Sequence, residues 1–385
     1  MRTRLCTGIL LLSALVTIIG CSEVGFKGLP NKLCTDFNTG SGQDCAPGPQ
    51  GSDRYTVNFR TGQVDILFVN DNSGSMSPEQ AKMANAFPNF LQSIQNLDYQ
   101  IAMVTTDVKN QNGKLLEFKD EQGRASGEYV LRPTTENRES KFRGTIKRQE
   151  TLDCEQSGYA ADKCPADDER GIYAMNLVLE NNERGFLRTG AHLAIIVLSD
   201  EDQRSRTTFN TQTQKWEGAI RGYPLEERDM PETLVKTLAS RHSTKTLSVH
   251  AVIIKPGDAV CYNQQRVNLS NGFTLFGSYG YLYHILTIPQ NHGLESLGNI
   301  LPGTSSSICS DQFGYQTQLG VIGSLSAASA RATKIQMACL PKPEDITVTA
   351  AQNVTYTIEE STRSLVFRNL PIALDISVSY LCPNR

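Results

Sequence analysis

The chain has 385 residues, of which 39% are hydrophobic and 20% charged, with 30 Gly and 16 Pro. That composition excludes collagen-like, coiled-coil and largely disordered classes. The formal charge is -3, and losing Arg2 and Arg4 with residues 1–20 takes it to -5. A broad basic surface for phosphates is therefore not expected, and nucleic acid is not an expected partner.

Residues 1–20 read as an address. Arg2 and Arg4 form a positive start, and the apolar run from Gly8 to Gly20 follows. That run is shorter than the ~20 residues a spanning helix needs, so it reads as a secretory signal peptide. Its end, Ile18-Ile19-Gly20-Cys21, resembles a bacterial lipobox. The resemblance implies that Cys21 is diacylated and becomes the mature N-terminus, making a membrane contact through a lipid anchor. Ser22 follows in place of the Asp that would imply inner-membrane retention, so the outer membrane is the expected location within the cell envelope.

Of the 10 cysteines, Cys6 leaves with the signal and Cys21 takes the lipid. The remaining even set in an exported chain reads as disulfides. Sequence order suggests Cys34–Cys45, Cys154–Cys164, Cys261–Cys309 and Cys339–Cys382, because each pair then lies inside one segment. Residues 21–55, rich in Gly and Pro towards Gly51 and without apolar periodicity, read as a flexible tether.

The chemistry-bearing segment comes next. Val64-Asp65-Ile66-Leu67-Phe68-Val69 is an apolar strand, and Asn70-Asp71-Asn72-Ser73-Gly74-Ser75-Met76 follows as a loop. A helix is expected from Ser77, with Ser77 as N-cap, Pro78 at the first helical position and Gln80 completing a capping box. Met83, Phe87, Phe90, Leu91 and Ile94 mark its buried face. Asp71, Ser73 and Ser75 thus lie between a buried strand and a helix, where open α/β sheets place their ligands. Two neutral hydroxyls and one carboxylate in a tight loop suit a hard divalent cation.

Tyr99–Val104 is a second strand, ending in Thr105-Thr106-Asp107. Gly171–Leu179 reads as a helix. His192–Leu198 is a near-continuous apolar strand of the kind buried in parallel sheets, followed by Ser199-Asp200-Glu201-Asp202. Asp229–Glu232 opens another helix, and Thr246–Ile254 is a further strand. The alternation predicts an α/β fold with a doubly wound, mostly parallel sheet.

At these residues the chain resembles the von Willebrand factor A family and its metal-ion-dependent adhesion site. The resemblance implies that Ser73 and Ser75 bind Mg2+ directly (with Mn2+ and Ca2+ as alternatives). Asp71 would act directly or through water, and Asp200 would be the second acidic residue. It also implies a protein partner that supplies a carboxylate to the metal. The family's threonine usually lies shortly before the small residue of its helix, here near Ala166, yet residues 162–170 contain no Thr. Asp167, Asp168 or Glu169 is a possible replacement and Thr106 another donor. A carboxylate there would move the preference towards Ca2+ or weaken the need for an acidic partner.

The five histidines are His192, His242, His250, His284 and His292, and no metalloprotease, nucleophile-elbow or P-loop motif is present. A binding protein is therefore preferred to an enzyme. A metal-dependent hydrolase and a structural envelope component with a silent metal site are the alternatives. Residues 108–165 and 255–315 read as long insertions. The second holds the aromatic stretch Phe273–Tyr283, read either as a partner surface or as packing over the sheet. Beyond a helical run near Leu319, Ile322 and Leu325, the segments at Ile346–Thr349, Val354–Ile358, Leu365–Phe367 and Ile376–Tyr380 alternate at period two. They predict a small all-β domain stapled by Cys339 and Cys382, since a core of about 50 residues is marginal. The expected organisation is a signal peptide (1–20), a lipidated tether (21–55), an A-type domain (56–332) and a β domain (333–385).

Overall fold

The computed structural model describes Cys34 and residues 43–160, 162–165, 168–205, 207–210, 212, 215–218, 224–268 and 274–383. The expected signal peptide, Cys21, Asp167 and most of the expected tether lie outside the described residues. The strands run β1 (Asp44–Pro47), β2 (Ser52–Arg60), β3 (Gln63–Asn70), β4 (Asp98–Thr105), β5 (His192–Ser199), β6 (Thr207–Asn210), β7 (Lys215–Gly218) and β8 (Leu247–Ile253). They continue as β9 (Arg266–Asn268), β10 (Thr274–Phe276), β11 (Ile300–Ser307), β12 (Thr333–Gln336), β13 (Ile346–Ala350), β14 (Tyr356–Glu359), β15 (Ser364–Phe367) and β16 (Asp375–Pro383). The helices are α1 (Ser77–Ile94), α2 (Val108–Gln111), α3 (Arg138–Ile146), α4 (Gln149–Gln156), α5 (Gly171–Asn181), α6 (Pro231–Arg241), α7 (Ala259–Gln264), α8 (Tyr281–Thr287) and α9 (Gln312–Ser329).

The fold is mixed α/β. A five-stranded sheet has the order β11-β8-β5-β3-β4, and every neighbouring pair is parallel. Its central strands are apolar on both sides because both faces are covered. Ile66, Phe68, Ala194 and Ile196 pack with Phe87, Phe90, Phe142 and Leu319 on one face. Leu67, Val69, Ile195 and Val197 pack with Ile172, Met175, Val235 and Leu282 on the other. The chain moves from β3 outward to β4, then returns to place β5 on the other side of β3. That reversal opens a crevice at the carboxyl ends of β3 and β5, where ligands of such sheets bind. The register pairs Asn70 with Leu198, so Asp71 and Asp200 leave the sheet side by side.

Several expectations need correction. The stretch 255–315 is not wholly an insertion, since β11 within it forms the sheet edge. Its sequence conceals a strand because Pro302 and Gly303 interrupt it, which only an edge strand tolerates. The pairing with β8 shifts between Leu301 and Thr304, and a Cβ on Gly303 would lie 1.7 Å from the Val249 carbonyl. Within residues 108–165, Phe118 N–H donates to the Glu128 carbonyl at 2.7 Å and Leu131 bridges Ile101. Within the aromatic stretch, Leu282 and Tyr283 are buried against the sheet, which answers to the packing reading; Phe273 lies outside the described residues.

The tether boundary at residue 55 also moves. β2 pairs with β16 along its full length, from Ser52 opposite Pro383 to Arg60 opposite Asp375, and β1 pairs with β2. The all-β part therefore takes residues 44–60 as well as the C-terminal segment. Its sheet β1-β2-β16-β13 packs on β12-β15-β14 around Tyr55, Phe59, Ile335, Phe367, Val378 and Tyr380. Tyr55 stacks on Tyr380 with ring centroids 5.3 Å apart. The cause is nonlocal: β16 has a full apolar face and finds its nine-residue partner, β2, at the other end of the chain. The four expected disulfides are all present.

Candidate metal centre

Asp71 continues β3, its N–H donating to the Leu198 carbonyl at 2.9 Å. The side chain is fully buried, and its two oxygens accept from different elements. Oδ1 accepts the Ser73 N–H at 2.8 Å, and Oδ2 accepts the Ser199 hydroxyl at 2.6 Å. The first bond folds the loop into a turn of the kind Asp makes with the backbone two residues on. That turn brings the half-buried Ser73 and Ser75 hydroxyls to 3.1 Å from each other. Ser75 in turn acts on the carboxylate of Asp200, lowering its proton affinity, so Asp71, Ser73, Ser75 and Asp200 are grouped at the ends of β3 and β5.

The helix after the loop starts differently from expectation. Ser77 is the first helical residue and makes no cap, and a short tight turn at Gly74–Met76 leads into α1. Gln80 closes no capping box. Its Nε2 donates to the Asp71 carbonyl at 2.8 Å and to the Thr151 hydroxyl at 3.1 Å, while its Oε1 accepts the Arg148 N–H at 3.0 Å. Thr151 also donates to the Asn72 carbonyl at 2.8 Å. The loop is thus pinned from within the 108–165 stretch, through α4. Gly74 permits this contact, because a Cβ there would sit 2.5 Å from Cys154 Sγ and 2.9 Å from the Tyr159 ring.

Asp200 is 1% exposed, and its Oδ1 has no hydrogen-bond partner. Its carbonyl accepts the Ser278 N–H at 2.8 Å, and Asp202 Oδ2 accepts the N–H of Leu282 in α8 at 3.0 Å. Thr106 does not offer its hydroxyl to the cluster: it donates to Glu169 Oε2. Glu169 is the acidic residue that the structure brings in, 1% exposed, with Oε1 unpartnered. Its backbone bridges Asp107, and its carbonyl accepts the Arg204 N–H at 2.6 Å. Asp168 is turned instead to Arg204, at 2.6 Å. Asp167 lies outside the described residues.

Electrostatics single out the same groups. Burial raises the Asp71 carboxyl above its ordinary value, opposed by the hydrogen bonds from Ser199 and Ser73. Burial raises Asp200 well above, with the Asp71 and Glu79 charges adding to it and the Ser75 hydrogen bond opposing. Glu169 is also raised well above, by burial and then by the charges of Asp71 and Glu201. Carboxylates that raise one another's proton affinity lack a compensating positive charge. An oxygen-only set of hydroxyls and carboxylates with unsatisfied buried lone pairs fits a hard divalent cation. Ser73, Ser75, Asp71, Asp200 and Glu169 are the residues that would hold it. Among the described residues, three acid, Cys or His ligand atoms lie within 4.8 Å of one another only at Cys34, Cys45 and Asp53. Those cysteines are disulfide-bonded, so they offer no thiolate.

Sequence reasoning missed Ser199 and Thr151. Ser199 was legible only through the parallel register, which sets it opposite Asp71; Thr151 carried no local signal. His192 and His250 are structural: His192 bonds Thr246 and Ser248, and His250 bonds Ser248 and Thr304. Burial lowers their pKa values to about 3 and about 4.

No family model matches the chain, and no curated protein matches it. Among solved structures, it is similar to the pilus adhesin SpaC from Lactobacillus rhamnosus GG in its open conformation. The identity is 13% and the TM-score 0.36, covering 88% of this chain and 42% of that one. It is also similar to proximal thread matrix protein 1 from the mussel byssus, at 12% identity and TM-score 0.30, covering 71% and 48%. A third is the pilus adhesin RrgA from Streptococcus pneumoniae, at 12% identity and TM-score 0.23, covering 86% and 58%. The chain spans less than half the length of the first of these.

Proposed function

We propose that this is a cell-envelope binding protein of the von Willebrand factor A type, with a doubly wound core, that docks a protein partner at a divalent cation. The observation that carries this reading is the pair of unpartnered buried oxygens, Asp200 Oδ1 and Glu169 Oε1. They belong to a cluster whose carboxylates repel one another. A bound cation supplies the missing positive charge and a fixed electrostatic anchor at the crevice between β3 and β5. The chain's own part is to hold the hydroxyls and carboxylates in place before the ion arrives. Binding is preferred to hydrolysis because the hydroxyls of Ser73 and Ser75 are turned to each other, with no histidine base bonded to them among the described residues.

Titration calorimetry with Mg2+, Mn2+ and Ca2+ tests the reading. Wild type is expected to bind at one site and Asp71→Ala to lose that heat; identical heats in the two proteins would sink it. The envelope location rests on the lipobox resemblance at Cys21. Cys21→Ala is expected to move the protein out of the membrane fraction, and unchanged fractionation overturns the anchor.

A further inference from the structure

α9 and the part of α1 beyond Lys82 present a face without charge. The two helices run side by side in the same direction, Gln312 Nε2 donating to the Lys82 carbonyl at 3.2 Å and Ser93 Oγ to the Gly320 carbonyl at 3.2 Å. Tyr315, Leu319 and Ile322 turn the inner side of α9 into the core. Its outer side leaves Phe313 74%, Val321 47% and Leu325 39% exposed. The solvent side of a surface helix is ordinarily its charged side. Here charged residues make up 20% of the chain, yet residues 83–97 and 312–330 contain none. An open groove of about 480 Å3 runs between the helices, with Asn89 and Gln92 on one side and Val321 and Leu325 on the other.

We propose that this face pairs with the same face of a second copy of the chain, in a twofold-symmetric dimer whose two α9 helices are antiparallel. Charge favours a second copy as the occupant. The chain is net negative, so two copies repel through their charged surfaces and meet with least repulsion where neither carries charge. Loss of charged residues around an exposed aromatic is also the composition of an interface core. The order of residues along α9 is self-complementary. Phe313, Thr317, Val321 and Leu325 form one row of the helix surface, and Leu319 is midway both between Phe313 and Leu325 and between Thr317 and Val321. A twofold axis at that point sets Phe313 against Leu325 of the second copy and Thr317 against its Val321. Gly320 lies beside the axis, where a Cβ would have nothing within 4 Å, so the two backbones are free to approach. α9 has 18 residues. At ~1.5 Å per residue and ~8–10 Å between helices, a face two helices wide covers roughly 500 Å2. Two such faces reach about 1,000 Å2, the lower end for a specific interface, so the dimer is a weak one. α9 contributes no residue to the cation cluster, and the dimer stands or falls independently of it.

The test is cross-linking on the full chain in its native membrane. A disulfide needs Cα atoms within about 7 Å, so Gly320→Cys reports on the axis itself. After mild oxidation it is expected to give a dimer on a non-reducing gel, whereas Ser361→Cys, exposed elsewhere, is expected to give none. Adding Val321→Glu to Gly320→Cys sets like charges close together across the axis and is expected to abolish the dimer. Co-expression with a chain carrying Gly320→Cys and Thr317→Lys is expected to restore it, because the lysine then faces the glutamate. Circular dichroism checks the fold of each variant. If Gly320→Cys misfolds, co-expressed Thr317→Cys and Val321→Cys chains are expected to cross-link severalfold more than either alone, and equal yields overturn the proposal. No dimer from Gly320→Cys overturns it too, whether lipid, another protein or the chain's own N-terminal segment then covers the face. So do equal yields from Gly320→Cys and Ser361→Cys, a dimer that survives Val321→Glu, or a co-expressed pair that stays monomeric.

Discussion

The side chain of Gln80, nine residues along the chain, donates to the backbone carbonyl of Asp71 at 2.8 Å. It is 1% exposed and also joins Thr151 and Arg148. One amide thus couples the first turn of α1, the Asp71–Met76 loop and the α3–α4 segment. Gln80→Ala takes this partner from the Asp71 carbonyl and the Arg148 N–H. It is expected to cost about 1–3 kcal/mol in chemical denaturation and to weaken cation binding by loosening the loop.

Ser199 holds Asp71 Oδ2 at 2.6 Å while accepting the Glu201 N–H at 3.1 Å. Groups that orient a ligand are typically worth about 10–100-fold in metal affinity. Ser199→Ala should therefore weaken cation binding by about that factor, read by calorimetry, with the sheet intact by circular dichroism.

Stability in chelator should fall as pH rises. Asp71, Asp200 and Glu169 all have carboxyls raised above their ordinary values of 3.8, 3.8 and 4.5. Glu79, Glu201 and Asp107 are the further negative charges acting on them. The native state therefore binds more protons than the unfolded chain. The stabilisation is fully present below the ordinary values and is lost as pH rises through the raised ones. Melting in chelator at pH 5 and pH 8, repeated with CaCl2, checks this. A higher melting temperature at pH 5 in chelator, with the gap narrowed by the cation, is the expected result.

Asp65 and Lys245 form a buried pair at 2.7 Å, with exposures of 0% and 1%. Arg188 binds the other Asp65 oxygen at 2.8 Å. Asp65→Ala strands the ammonium among the Arg188 and Ala191 carbonyls. Breaking one side of such a pair costs about 3–5 kcal/mol, to be measured by urea unfolding.

Removing residues 1–60 should disrupt the C-terminal sheet, because β2 supplies the partner of β16 over nine residues. The Cys339–Cys382 disulfide would then hold a sheet without its central neighbour. Limited proteolysis of the truncated chain is expected to cut within residues 333–383 while the intact chain resists.

Much of the site was legible in the sequence because its signals are short-range. A buried strand, an Asp-x-Ser-x-Ser loop and an apolar helical face occupy residues 64–94, and each pattern is set by the periodicity of its own element. The apolar strand ending at Ser199 announced Asp200 in the same way, and cysteine order was enough for the disulfides. Tertiary structure alone decided that Gln80 serves Asp71 rather than a helix cap, that Thr106 is spent on Glu169, and that β2 belongs with β16. The Gln80–Thr151 bond and the last two of these pairings join residues 71, 63 and 325 positions apart. A hydrogen-bonding side chain or an open strand edge does not record its distant partner in the neighbouring sequence. Packing against the sheet selects that partner, because a buried polar group left alone costs more than the chain closure that satisfies it.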